Sequence, residues 1–184
     1  MHWLGELLPV GTTRPTTRVR SLQPPAFPGS TSTMKGAAYK EVLFICTGNF
    51  YRSRFAEAVF NHEARRLGLP WRAFSRGLAI HLVTSPLSPI TIAALEERGI
   101  ALDCTGPDRC PLTEADLRRA ARRIALKEEE HRPYFARLFP AWEHRVQYWH
   151  FHDRDVAPPE VVLPRIEKRV RKLISKLTKA AKVL

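Results

Sequence analysis

The chain has 184 residues, enough for one domain with a full core. Its 30 Lys and Arg against 18 Asp and Glu leave a net charge of +12, which favours anionic partners: phosphorylated substrates, nucleic acid or an acidic membrane surface. No apolar run approaches the ~20 residues of a spanning helix, which excludes a helical membrane-embedded protein.

Residues 1–36 are set apart by Thr, Pro, Ser and Gly, with scattered Arg and no apolar periodicity. Such a stretch buries too little surface to offset its ordering entropy and reads as a disordered extension. Two origins fit it: a true start at Met34, which is preferred, or a transit peptide with Glu6 as its one acid. MHWLGELLPV does not read as a secretory signal. Three cysteines, Cys46, Cys104 and Cys110, cannot all pair and suit a reducing compartment, so the expected location is the cytoplasm.

From residue 37 onward a single domain is expected. Val42–Cys46 is an apolar strand, followed by a loop Thr47–Ser53 and a helix through Phe55, Ala58, Val59 and His62. Gly68–Pro70 closes that helix, and Trp71–Ser75 is a second strand ended by Gly77. Ser88–Arg98 has helical spacing with Gly99 as its C-cap, and Thr113 with Asp116 marks a capped helix through Leu117 and Ala120. Arg123–Leu126 is the third strand, Glu128–Phe139 a helix disturbed at Pro133, Arg145–Phe151 the fourth strand and Pro164–Leu177 a final helix. Strands alternating with helices imply an α/β fold, a parallel sheet covered by helices on both faces. Ligands of such sheets bind beyond the carboxyl ends of the strands, where the Cys46 loop lies.

That loop carries the chemistry. In VLFICTGNFYRSRFAEAVF, Cys46 ends a strand, Arg52 follows six residues later, Ser53 comes next and a helix begins at once. A loop wrapped between strand and helix aims several backbone N–H groups at one point, beside the positive end of the helix dipole. A phosphate dianion fits there, and the same field suits an anionic nucleophile at Cys46. Arg52 can hold two phosphoryl oxygens bidentately, and the Ser53 hydroxyl can donate to the thiolate. Gly48 and Asn49 are the residue types that most easily take positive φ in a tight loop. The bland alternative is a buried Cys46 ending a core strand beside a solvated Arg52.

The stretch VLFICTGN-x-x-RS-x-x-AEA resembles the signature of the low-molecular-weight protein tyrosine phosphatases. The likeness continues through FSRGL, SPLSPITIAALEERGIALD, LTEADLRRA and EEEHRPYF, from about Lys40 to Leu177. It implies a four-stranded parallel sheet flanked by helices, cysteine-based hydrolysis of phosphate monoesters through a cysteinyl-phosphate, and no metal or cofactor. It also implies an Asp as general acid in the loop after the fourth strand. In HFHDRDVAPPE the best match is Asp153, with Asp155 as runner-up, and the family's Asp-Pro pair is replaced by Asp153-Arg154.

Other positions depart from the family. Phe50 stands where members that take phosphoarginine resemble one another in carrying Thr, which argues against that substrate. Tyr51 replaces a cysteine that many members can oxidise against the nucleophile, and Arg54 replaces a frequent Pro. Phe50, Tyr51 or Trp149 is left to wall a phenyl phosphate, with core packing the expected role of Trp149. The substrate-contacting set is therefore Thr47, Gly48, Asn49, Phe50, Tyr51 and Ser53 around Cys46 and Arg52.

Seven histidines show no metal-ligand spacing, so no metal is expected. Arg165, Lys168, Arg169, Arg171, Lys172, Lys176, Lys179 and Lys182 face Glu167 alone in the last helix. A solvated outer face is the first reading of these charges, with an acidic membrane surface as the other partner. Nucleic acid is not expected, because no aromatic residues interleave them. The expected function is a phosphatase acting on a phosphorylated protein or a small phosphate ester. Its rivals are a non-catalytic phosphate-binding module and an oxyanion reductase resolved by Cys104 or Cys110, as in related arsenate reductases.

Overall fold

A computed structural model describes residues 39–181, so the extension read in residues 1–36, the Met34 start and Lys182 lie outside the described residues. Four strands form one sheet in the order β2-β1-β3-β4, every neighbouring pair parallel. They are β1 Lys40–Cys46, β2 Trp71–Gly77, β3 Arg122–Ala125 and β4 Gln147–Tyr148. The helices are α1 Arg52–Arg66, α2 Pro89–Glu97, α3 Glu114–Arg119, α4 Glu128–Leu138 and α5 Pro159–Ala181. None of them is long and apolar enough to cross a membrane.

The unbroken apolar run of β1 follows from burial on both faces. Val42 and Phe44 pack against Phe55, Val59 and Phe60 of α1 and Ile166, Val170 and Ile174 of α5. Leu43 and Ile45 turn the other way, toward Leu117 of α3 and Phe135 of α4. Trp149 is core, with its ring 5.8 Å from Phe44 and 5.7 Å from Phe151. Thr113 and Asp116 form both halves of a capping box, and Gly99 closes α2 at φ 63°.

Besides smaller shifts at other element ends, three features differ from the sequence reading. The fourth strand shrinks to two residues, because Pro140–Arg145 winds into a 3-10 turn and His150 crosses to an antiparallel bridge with Lys127. The last helix starts five residues early, at Pro159, where a missing N–H costs nothing and the Pro158 carbonyl accepts from Val161 and Val162. Pro133 does not break α4, which gives up one bond to the Glu129 carbonyl and runs on to Leu138.

Because β1 and β3 are neighbours, the turns leaving them toward α1 and α4 lie side by side at one edge of the sheet. The chain leaving β4 arrives at the same edge, where the Phe151 N–H bonds the Leu126 carbonyl.

Candidate active site

The loop from Thr47 to Tyr51 is fixed mainly through its carbonyls. Those of Cys46, Thr47, Phe50 and Tyr51 accept from the N–H groups of Leu78, Ala79, Ser88 and Phe55. In a planar trans peptide the N–H points opposite to the C=O, so the amides of Thr47, Gly48, Tyr51 and Arg52 turn toward the inside of the loop. Asn49 takes the left-handed conformation, φ 50°, while Gly48 does not. Gly48 is needed for space instead, since a Cβ there would sit 2.7 Å from Val83 Cγ2. Gly77 forms the floor: its Cβ would meet the Thr47 carbonyl at 2.8 Å and the Asn49 N at 2.9 Å.

A buried network holds Asn49 in place. Its Nδ2 donates to Ser75 Oγ at 2.8 Å and Ser53 Oγ at 3.2 Å, and its Oδ1 accepts from the Cys110 N–H at 2.8 Å. Ser75 in turn donates to Glu57, which also accepts from Thr105 and the Gly106 N–H. Burial pushes the Glu57 carboxyl up, against these bonds. Arg54, itself buried, bonds Thr105 and the carbonyls of Gly106 and Asp108, which ties the segment preceding Cys110 to α1. Cys46 is buried, with its Sγ 2.9 Å from Ser53 Oγ.

Arg52 is 1% exposed and is gripped from two sides. Its Nη1 donates to Glu130 Oε2 at 2.7 Å and to the Phe151 carbonyl at 3.1 Å. Its Nη2 donates to Glu130 Oε1 at 2.9 Å and Asp153 Oδ2 at 2.6 Å. Nε is buried and has no hydrogen-bond partner. Thr47 Oγ1 donates to the same Glu130. Burial opposes the Arg52 charge, yet the Glu130 bonds and the neighbouring Cys46 and Asp153 hold its pKa above the ordinary arginine value. Burial also opposes the Glu130 charge, but His131 beside it and the bonds from Arg52 keep it well below the usual carboxylate range.

His131 is buried and accepts from the Lys127 N–H at Nδ1, with Nε2 3.4 Å from Glu130 Oε1. Burial pushes its pKa down, so folding keeps the ring neutral. The unfolded chain then binds the extra proton below about pH 6.5, and stability falls as pH drops from about 7 to about 5. Glu130 works in a separate window: its contribution is present above about pH 4.3 and is lost further down. Urea unfolding at pH 7 and pH 5 checks the first window. His131→Gln should lose less stability across it than the wild type, and equal losses would refute the assignment.

Asp153 reaches over Arg52 from the loop after β4. Its Oδ1 accepts from the Arg154 N–H at 2.8 Å and its carbonyl accepts from Val156 and Ala157. An N–H that proline lacks therefore helps close this turn. The cleft above Cys46 is about 520 Å³, walled by Phe50, Leu82 and Val83 and rimmed by Asp153, Arg154 and Asp155. Tyr51 also lines it, and burial with the Asp153 charge pushes its hydroxyl up to about 12.

The structure thus gathers Cys46, Thr47, Gly48, Asn49, Phe50, Tyr51, Arg52, Ser53 and Asp153 around one cleft, with Asp155 at its rim. Cys104 lies elsewhere, buried beside Arg65, thirteen residues along α1 from Arg52 and on the order of 20 Å away. Cys110 touches the loop through its backbone, while its Sγ faces the Asp108 carbonyl. Glu130, Glu57 and Ser75 were missed in the sequence, as were Leu82 and Val83. Among the described residues no group of three His, Cys, Asp or Glu side chains is placed to hold a metal ion.

The profile of the family described as low molecular weight phosphotyrosine protein phosphatase matches residues 41–183. A protein-arginine-phosphatase of Bacillus subtilis is 33% identical over 109 residues, 58% of this chain and 67% of that protein. A low molecular weight protein tyrosine phosphatase from T. tengcongensis superposes with a TM-score of 0.64 at 27% identity, over 74% of this chain and 99% of that one. One from Bacillus subtilis does so with a TM-score of 0.62 at 27% identity, over 76% and 97%. A match running from the first strand into the last helix, on a sheet that carries the Cys46–Arg52 loop at its edge, places the chain in the low molecular weight phosphotyrosine protein phosphatase family.

Proposed function

We propose that this cysteine-based phosphatase hydrolyses phosphate monoesters of proteins or small molecules by two in-line displacements at Cys46. The observation that carries the reading is the convergence of Cys46, the inward loop amides, Arg52 and Asp153 on one cleft. The Cys46 thiolate attacks phosphorus, Asp153 gives its proton to the departing oxygen, and a cysteinyl-phosphate forms. Water then attacks phosphorus, Asp153 takes its proton, and the thiolate leaves with a hydrogen bond from Ser53. Loop amides and the unpaired Arg52 Nε–H hold the equatorial oxygens as charge develops. Glu130 is a positioning residue, setting the plane of the Arg52 fork from the side away from Nε.

Asp153 is favoured over Asp155 as the acid because it alone bonds Arg52. Phe50 and Leu82 favour an aromatic ester, whereas the named Bacillus relative acts on phosphoarginine by its name. The test is metal-free hydrolysis of p-nitrophenyl phosphate across pH 5–7 by wild type, Asp153→Asn and Asp155→Asn, with phosphoarginine offered in parallel. Loss of about 10²–10⁴-fold in Asp153→Asn alone is expected. An equal loss in Asp155→Asn alone reverses the assignment, and faster turnover of phosphoarginine reverses the substrate class. A reduced wild type that binds phosphate but turns nothing over leaves only a binding module.

A further inference from the structure

We propose that the groove between α5 and the leading edges of β3 and β4 is a second anion site, built for a compact polyphosphate. It holds about 180 Å³ and is lined by Arg122, Gln147, Trp149, Arg169, Lys172 and Lys176, among others. Arg122 and Gln147 are the first residues of their strands, while Cys46 is the last of β1. Arg122 is in register with Val42, four residues before Cys46, on the order of 13 Å along the strand. The groove therefore lies away from the catalytic cleft and shares no lining residue with it.

The helix supplies its cations in a stripe. Arg165, Arg169, Lys172 and Lys176 are spaced by four, three and four residues and so project from one face of α5. Like charges at this spacing repel and weaken a helix unless something neutralises them. Among the described residues no carboxylate does so, and none of Arg122, Arg169, Lys172 and Lys176 makes a salt bridge with them. Glu167, the acid inside this basic run, is turned to Arg98 at 2.7 Å and Arg171 at 2.9 Å. The Arg169 guanidinium lies 5.6 Å from the centre of the Trp149 ring, a stacking contact that leaves its N–H edges free. Trp149 is buried, and its indole N–H has no hydrogen-bond partner. Four cations without a carboxylate partner around one groove are an incomplete arrangement that an oxyanion completes.

Size and surroundings select the ligand. The groove admits one or two tetrahedral phosphoryl groups, and the stripe continues the positive charge along α5 for those linked to them. No exposed aromatic ring lines the groove to stack a base, and the exposed large apolar residues, such as Leu67, Leu102 and Leu138, lie outside it. A short chain of linked phosphates fits better than a nucleic acid or a lipid bilayer.

Calorimetric titration of the full chain with inorganic tripolyphosphate, after phenylphosphonate has saturated the catalytic loop, tests this. One equivalent should bind. The exposed double substitution Lys172→Gln/Lys176→Gln should weaken that binding by at least about tenfold and leave p-nitrophenyl phosphate turnover unchanged. The Trp149 indole N–H resonance, assigned with Trp149→Phe, should shift on titration of the wild type. No binding beyond the catalytic loop, or equal binding by the double variant, would overturn the proposal. So would capture by anionic-lipid vesicles or duplex DNA without any affinity for tripolyphosphate.

Discussion

Cys46→Ser is expected to lower turnover of p-nitrophenyl phosphate by at least about 10⁴-fold while inorganic phosphate still binds within a few fold of wild type. The substitution exchanges one atom for a smaller one in a buried position, so the loop around it is kept. Its amides are held by carbonyl bonds to Leu78, Ala79, Ser88 and Phe55, none of which involves the Cys46 side chain. What disappears is the nucleophile. The group beside Cys46 Sγ is the Ser53 hydroxyl, which can donate a hydrogen bond but cannot act as a base at neutral pH. Steady-state assays and phosphate calorimetry on the same preparation separate the two effects. A variant that still turns over at a tenth of the wild-type rate would remove Cys46 from the reaction.

Arg52→Lys should lower kcat/KM by about 10²–10³-fold, although the charge is conserved. Arginine meets Glu130 with two parallel bonds, spares a further bond each for Phe151 and Asp153, and still leaves Nε without a partner, free for the phosphoryl group on the proposed reading. A lysine has three donors at one point and cannot satisfy that set while also facing the substrate. Glu130→Gln gives the complementary result. It removes a negative charge from the place a dianion enters, so KM should fall, and it loosens the fork, so kcat should fall with it. In the Arg52→Lys background the same Gln substitution should change little, because the two residues act as one unit. Additive losses in the double variant would show that Glu130 acts on something other than Arg52.

The candidate loop was legible because its residues are contiguous. Cys46, Asn49, Arg52 and Ser53 fall within eight positions, and a strand before with a helix after fixes their mutual geometry. Asp153 was legible only as a place in the chain after the fourth strand. Glu130 was not legible, and the reason is topological. It is 78 residues from Arg52 and becomes its neighbour only because β3 lies next to β1 in the sheet. In the sequence it is one of three acids opening a helix, where the dipole already accounts for negative charge. Glu57 was hidden differently: it reads as an ordinary helical acid until Ser75 and Thr105 close around it. The fourth strand reads longer in the sequence because Trp149 and Phe151 are buried as a strand's alternating residues would be and still bond Ala125 and Leu126, although the regular ladder pairs only Gln147 and Tyr148.

The grip of Glu130 and Asp153 on Arg52 has a kinetic consequence. The resting cleft carries its own counter-ions, so a phosphate ester does not fall into an unshielded positive well. On the proposed reading it meets the free Nε–H and the loop amides, while the Glu130 bonds to both Nη groups stay in place. The paired carboxylates offset most of the local charge, so the final docking step should feel ionic strength far less than the +12 of the whole chain suggests. Salt then acts chiefly on the long-range approach, where the scattered surface cations steer the substrate. Selectivity for dianions over monoanions should then be set at the short range, by the loop amides and the Nε–H rather than by the shielded fork.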